Sequence, residues 1–198
     1  MPHYFDQTPT GPSRPRQVEL ALPDMRLQLT ADRGVFAGRG MDLGTLELLR
    51  SVPAGPDPAA DVLDLGCGYG PIAVALATRF PASTVWAVDV NIRAVELAGA
   101  NAAALGLRNV RAAVPDDVPA DLRFAQIWSN PPIRIGKAAL HGLLERWLPR
   151  LADGGTGWLV VQKNLGSDSL AAWLAGSGYQ VARLGSRKGY RILAVSRP

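Results

Sequence analysis

Alternating apolar positions open the patterned part of the chain. Val18, Leu20 and Leu22, then Met25, Leu27 and Leu29, flank Pro23-Asp24 and predict a β-hairpin around a proline-initiated turn. Residues 1–17 have no period and read as an extended arm. After the hairpin, Gly34, Gly38, Gly40 and Gly44 punctuate a loop, residues 43–49 predict a short helix, and 51–60, with three prolines, read as a linker. From Asp61 the period switches back and forth between two and 3.6 residues. Strands are predicted at 61–65, 84–88, 110–114, 124–128, 158–162, 179–184 and 190–195, and helices at 71–79, 91–105, 138–151 and 168–175. In the second of these helices Ile92, Val95, Ala98, Ala102 and Leu105 share an apolar face. In the third, Ala139, Leu140, Leu143, Leu144, Trp147, Leu148 and Leu151 point inward, and Lys137, His141, Glu145 and Arg150 outward. Strands alternating with helices in this way predict an α/β, doubly wound, seven-stranded and mostly parallel sheet covered on both faces, with the hairpin as an N-terminal extension. No internal repeat interrupts the pattern.

Composition narrows the class. At 198 residues the chain has the length of one domain, and 47% hydrophobic against 19% charged residues is enough to build a core. The longest apolar run, at 71–77, is far shorter than the ~18 residues of a membrane span. Met1-Pro2-His3-Tyr4-Phe5-Asp6 has no basic start or apolar stretch of a signal peptide, so a cytoplasmic location away from membranes is expected. One cysteine, Cys67, allows no intrachain disulfide, and with only His3 and His141 beside it no metal site is expected. The net charge of +4 is uneven: 1–60 carry −1, 61–120 carry −2 and 121–198 carry +7. A basic carboxyl-terminal third fits a polyanionic partner. Ordinary surface charge fits as well, since arginine outnumbers lysine 18 to 3.

The sharpest motif is Val62-Leu63-Asp64-Leu65-Gly66-Cys67-Gly68-Tyr69-Gly70, placed between a strand and a helix. Its G-x-G-x-G spacing lets the backbone turn tightly and approach a ligand. The dinucleotide fingerprint is G-x-G-x-x-G, and here an acid precedes the glycines, which suits a ligand bearing an amino group better than a phosphate. Nineteen residues after Gly70, at the end of the next strand, Asp89 can accept from both hydroxyls of a ribose. Cys67 reads as a small packing residue, with no histidine placed to activate it. The second motif, Ser129-Asn130-Pro131-Pro132-Ile133, ends the strand at 124–128. The Asn130 side-chain oxygen and the Pro131 carbonyl can each accept one N–H of a planar amino group and turn its lone pair toward an electrophile.

Together these motifs resemble those of the class I S-adenosylmethionine-dependent methyltransferases. That resemblance implies S-adenosylmethionine as cofactor and the Rossmann-like methyltransferase fold. Asp64, Gly66, Gly68 and Gly70 would meet its methionine part, Asp89 its ribose, Val90 its adenine ring, and Asp116 or Asp117 the adenine amino group. Asn130, Pro131, Pro132 and Ile133 would form the catalytic loop, with Asn130 also bordering the cofactor. Ile133 stands where adenine-N6 and glutamine methylases carry an aromatic residue. With Arg134, Gly136 and Lys137 after it, the motif is similar to the small stand-alone, RsmC-like relatives of the ribosomal small-subunit guanine-N2 methyltransferases. His3-Tyr4-Phe5, Gly34-Val35-Phe36, Met41-Asp42-Leu43-Gly44-Thr45, Gln162-Lys163 and Gly189-Tyr190-Arg191 extend the likeness over nearly the whole chain.

By the same resemblance Phe36 would cover the cofactor, and Asp42 and Thr45 would lie near its methionine part. Residues 1–60 would then be an arm, hairpin and cofactor-covering loop and helix, and 61–198 the methyltransferase core. The implied reaction is methylation of guanine N2 in ribosomal RNA, free or in an assembling ribosomal particle. Arg134, Lys137 and Lys163, at the carboxyl ends of strands, would contact phosphates. Arg183, Arg187, Lys188 and Arg191 fit either phosphate contacts or solvated charge. His141, on an outer helix face, reads as a surface residue. With no aromatic at Ile133, apolar packing or else Phe36 or Phe5 would hold the target base. Two other readings stay open: methylation of a protein glutamine or small amine, and a non-catalytic RNA-binding module on the same fold.

Overall fold

The computed structural model describes residues 12–35, 40–53 and 58–198, apart from the Arg134 side chain; Phe36, His3, Tyr4 and Phe5 lie outside the described residues. The hairpin forms as β1 (Arg16–Ala21) and β2 (Arg26–Ala31), paired antiparallel with Leu20 opposite Leu27. Helix α1 (Leu43–Ser51) follows. The alternating unit then runs β3 (Asp61–Leu65), α2 (Pro71–Arg79), β4 (Thr84–Val88), α3 (Ile92–Ala104), β5 (Val110–Ala113), β6 (Phe124–Ser129), α4 (Lys137–Trp147), β7 (Leu151–Gln162), α5 (Ser167–Gly176), β8 (Gln180–Arg187) and β9 (Tyr190–Ser196). The sheet order is β5-β4-β3-β6-β7-β9-β8. The first five of these strands are parallel, and β9 runs antiparallel to both β7 and β8. The expected doubly wound, seven-stranded sheet with a hairpin extension is therefore the observed one.

Two apolar cores sandwich the sheet. One gathers Val74, Leu76, Ala98 and Trp128 with Leu20 and Leu29 of the hairpin and Leu48 of α1, so the N-terminal segment packs onto the same core as the alternating unit. The other joins Leu140, Leu144 and Trp147 of α4 with Leu170 and Leu174 of α5. Chain order reverses between β3 and β6. At such a switch point the loops leaving the carboxyl ends of neighbouring strands diverge and open a crevice. The glycine turn follows β3 and the Asn-Pro-Pro segment follows β6, so the two motifs stand on the two sides of that crevice.

The faces differ from expectation in three places. Ile92 is exposed; the buried stripe of α3 is made by the small residues Ala94, Ala98 and Ala102 together with Asn101. Ala139 is exposed, because Leu140, Leu144 and Trp147 recur at the helical period and Ala139 lies off that stripe. The third long helix stops at Trp147. Pro149 follows in a short 3-10 turn and Leu151 already begins β7, as the lost proline N–H and its ring clash require.

Candidate active site

Backbone hydrogen bonds shape the glycine turn first. Gly66 N and Cys67 N both donate to Val88 O, at 2.8 and 3.0 Å, which draws the end of β3 against β4. Gly66 and Gly70 have φ of +74° and +87°, a left-handed backbone that other residues adopt only with strain. A Cβ on Gly66 would meet nothing within 4 Å, so the turn faces open space there. On Gly70 it would stand 2.9 Å from the Ala98 Cβ, which fixes how closely α2 and α3 approach. Pro71 opens α2 with φ preset and no N–H to leave unpaired.

Two buried carboxylates flank the turn. Asp64 is fully buried, and its Oδ2 accepts from Ala73 N in the first turn of α2 at 2.9 Å. Its Oδ1 has no hydrogen-bond partner among the described residues. Burial, reinforced by the charge of Asp89, pushes the Asp64 carboxyl up to about 8. A buried carboxylate lacking a partner is costly, and a cationic group brought to the turn would relieve it. Asp89 sits at the end of β4, where Oδ2 accepts from Gly68 N at 3.0 Å and Oδ1 from Asn91 N at 2.9 Å. Burial raises this carboxyl as well. Each of its oxygens keeps a lone pair, so the acceptor pair suits two vicinal hydroxyl donors such as those of a ribose. Asn91 also donates from Nδ2 to Gly34 O at 3.0 Å, tying the segment after β4 to the turn that follows the hairpin. Burial also pushes up the Cys67 thiol, and its Sγ rests on Gly68 O, the packing role expected of it.

Beyond Asp89 lies a cavity of about 210 Å³ lined by Val90, Ile92, Val114, Pro115, Asp116 and Arg146. A smaller one of about 30 Å³ shares Val90 and Pro115 and touches Gly66, Asp89 and Pro132. The apolar side chains around Val90 suit a flat ring, and they account for Ile92 being half in solvent. Arg146, which sequence reasoning passed over, donates to Asp116 Oδ1 at 2.8 Å and to Pro115 O at 3.1 Å. Asp116 and Asp117 are exposed in a short 3-10 turn after β5; Asp116 faces the larger cavity with its carboxylate shared with Arg146.

The Asn-Pro-Pro segment is the other wall. Ser129 Oγ donates to Leu65 O at 2.7 Å and ties the ends of β6 and β3 together. Pro132 has φ −74° and ψ 76°, and Ile133 N donates to Pro131 O at 2.8 Å. This is an inverse γ-turn, which fixes the Pro131 carbonyl and leaves it one lone pair. The Asn130 side chain is held from α1: its Nδ2 donates to Asp42 Oδ1 at 2.6 Å and to Thr45 Oγ1 at 3.1 Å. Asp42 also caps α1 by accepting from Thr45 N at 2.9 Å. The structure thus gathers Asp42, Thr45 and Asn130 at one point, residues that lie 88 positions apart at the widest. No sequence spacing signalled that contact. Ile133 is half-buried against the α4 side of the core.

The basic residues divide. Arg183 and Arg191 both donate to Asp168 Oδ1, and Arg187 and Lys188 lie 3.7 and 3.5 Å from the buried Glu47 carboxylate. Lys137 and Lys163 are exposed at the starts of α4 and of the turn after β7. His141 stacks on Trp173 at 3.8 Å between ring centroids, so it joins α4 to α5 and is not a free surface residue.

Residues 26–194 match the family model described as Methyltransferase small domain. The chain is 35% identical over 198 residues to a Bacillus subtilis protein named "Uncharacterized protein YbxB", covering 98% of each. It is 36% identical over 168 residues to the Ribosomal RNA small subunit methyltransferase C of Pseudomonas aeruginosa, covering 81% of this chain and 50% of that one. The chain therefore spans about half the length of that methyltransferase. Among solved structures, the T. thermophilus 16S rRNA N2 methyltransferase RsmC in complex with AdoMet and guanosine superposes with a TM-score of 0.76 at 23% identity. That match covers 96% of this chain and 52% of the other, a likeness of fold.

Proposed function

This chain belongs to the methyltransferase small-domain family, and from that premise we propose that it methylates an exocyclic amino nitrogen of ribosomal RNA, most specifically guanine N2. S-adenosylmethionine is the cofactor; when bound, it supplies a sulfonium methyl group already activated for in-line displacement. Gly66, Gly68 and Gly70, with Asp64 beneath them, hold its methionine side. Asp89 accepts from the ribose hydroxyls, and Val90 and Pro115 pack on the adenine ring with Asp116 at its edge. Asn130 Oδ1 and the remaining lone pair of Pro131 O accept the two N–H bonds of the target amino group. Those contacts turn its lone pair out of conjugation with the ring and toward the methyl group, and the nitrogen's surplus proton leaves to solvent after transfer.

One observation carries the reading. The Asn130 amide spends both N–H donors on Asp42 and Thr45, while its carbonyl has no partner among the described residues, at the carboxyl end of β6 beside the β3 strand that carries the buried Asp64. The related small subunit methyltransferase C supports ribosomal RNA as the substrate class. The target base must leave its stack to reach this recessed loop, and Lys137, Lys163 and Arg134 are the candidates for gripping the flanking phosphates. Nucleoside mass spectrometry of ribosomal RNA from a strain deleted for this gene tests the proposal. The expected result is the loss of one N2-methylguanosine, restored by the wild-type chain and not by Asn130→Ala. An unchanged methyl inventory would overturn it.

A further inference from the structure

An asparagine side chain is nearly symmetric in shape, and its two ends do opposite things. Presented by its carbonyl, Asn130 accepts from a target amino group; presented by its NH2, it opposes donor to donor and repels the substrate. Something must decide which end faces the crevice. We propose that Asp42 is that positioning residue, clamping the NH2 of Asn130 from the start of α1 so that the carbonyl is what the target nitrogen meets. The inference rests on the reading of Asn130 given above and adds to it a new role for Asp42, which resemblance alone placed near the methionine part of the cofactor.

Four observations converge. Asp42 Oδ1 lies 2.6 Å from Asn130 Nδ2, and an ionised carboxylate can only accept, so the atom facing it has to be the donor. Thr45 Oγ1 takes the other N–H at 3.1 Å, and the amide is then fixed at two points. Asp42 is itself immobilised, since the same Oδ1 caps α1 through Thr45 N, and α1 is anchored in the core by Leu48 and Leu49.

The fourth observation is Gly44. A Cβ there would stand 3.0 Å from Asp42 Oδ1, 3.0 Å from Tyr190 Cε1 and 3.3 Å from Asn130 Nδ2. A side chain there would press Asp42, Tyr190 and Asn130 apart by a few tenths of an ångström and loosen the contact. The charge adds a second effect. A hydrogen bond from the NH2 to a carboxylate is charge-assisted, and it shifts electron density toward the amide oxygen, making that oxygen a better acceptor.

Asp42→Asn is the informative variant, because asparagine caps helices about as well as aspartate and α1 should persist. It removes the charge and the acceptor-only character, so the paired amides can also settle with the Asn130 carbonyl turned inward. Single-turnover methyl transfer is measured with labelled S-adenosylmethionine and small-subunit ribosomal RNA from the deletion strain. The maximal rate should fall at least about tenfold, with the KM for S-adenosylmethionine within about twofold of wild type. In an Asn130→Ala background the same substitution should change the rate by less than about twofold, because Asp42 acts only through Asn130. Additive losses, or a raised KM with an unchanged rate, would overturn the proposal.

A second arm needs no turnover. In 15N-labelled protein the side-chain NH2 resonances of Asn130, assigned by their loss in Asn130→Ala, should exchange slowly with solvent and speed up at least about tenfold in Asp42→Asn. Identical exchange in both proteins would overturn the clamp. A wild-type chain that leaves ribosomal RNA unmethylated would instead overturn the proposed function, and the exchange measurement would still decide the role of Asp42.

Discussion

Alanine at Gly66 and at Gly70 should fail for opposite reasons, and the pair tests how the turn divides its work. Both residues have positive φ, so each substitution carries a strain of about 1–2 kcal/mol. At Gly66 nothing else is added to the fold, because the new methyl group enters open space. At Gly70 the methyl group stands 2.9 Å from the Ala98 Cβ and 3.0 Å from its Cα, and the backbone of α3 has to move. Overpacking of that kind costs roughly another 1–3 kcal/mol. For a chain of this size, with about 2–4 °C per kcal/mol, Gly66→Ala should lower Tm by roughly 2–8 °C and Gly70→Ala by roughly 4–20 °C. Ligand binding should rank them the other way. The open space over Gly66 is where the methionine part would lie, and blocking it should weaken S-adenosylmethionine at least about tenfold, or 1.4 kcal/mol. Thermal melts and titration calorimetry on both variants decide the matter. If Gly66→Ala binds S-adenosylmethionine with wild-type affinity, the space above the turn is not the ligand's. If Gly70→Ala melts no lower than Gly66→Ala, the Ala98 contact does not set the helix spacing.

Other expectations follow from single groups. Asp89→Ala should weaken S-adenosylmethionine by ~1–3 kcal/mol in calorimetry, since it removes a charged acceptor and frees Gly68 N and Asn91 N. Asp64 keeps its proton in the folded chain up to about pH 8 and loses it near 3.8 when unfolded. Ligand-free stability should therefore fall as pH rises from about 4 to about 8 and level off above, and Asp64→Asn should flatten that slope in urea titrations. Lys137→Ala and Lys163→Ala should each weaken RNA binding across sequences and reduce the salt slope by somewhat under one. Arg183→Ala should lower the slope less than Lys137→Ala does in the same filter-binding series, because Asp168 partly offsets the charge that Arg183 shares with Arg191.

Local chemistry explains which parts of this architecture were readable in the chain. Val62–Leu65 and the glycines after it, the Pro71 start of α2 and the β-branched run of β4 each carry their own signal within a few residues. Alternation alone carried the doubly wound, mostly parallel sheet, while its strand order emerged only from the pairing of the folded strands. The α3 face was misread at Ile92 because alanines, which carry little hydrophobic signal, form the true stripe, and because Ile92 lines a ligand-sized cavity. Asn101 was illegible for a different reason. A polar residue at a buried helical position makes sense only once Thr30 and Tyr69 are brought to it, and its amide bonds to both. The candidate site shows the same division. Gly66, Asp89 and Asn130 announce themselves by motif, whereas the links from Asp42 to Asn130 and from Arg146 to Asp116 arise only when distant segments fold together.

The central claim is that Asn130 holds the amino group that receives the methyl, and the rate of transfer measured beside cofactor affinity tests it most directly. Asn130→Ala, assayed under single turnover on ribosomal RNA lacking the modification, should lose roughly 10²–10³-fold in rate, the scale of one preorganised polar contact removed from a reacting centre. Its affinity for S-adenosylmethionine, measured by calorimetry on the same preparation, should stay within about twofold of wild type, well under the 1.4 kcal/mol of a tenfold change. A rate that falls only in step with lost cofactor binding, or one that does not fall, would contradict the account.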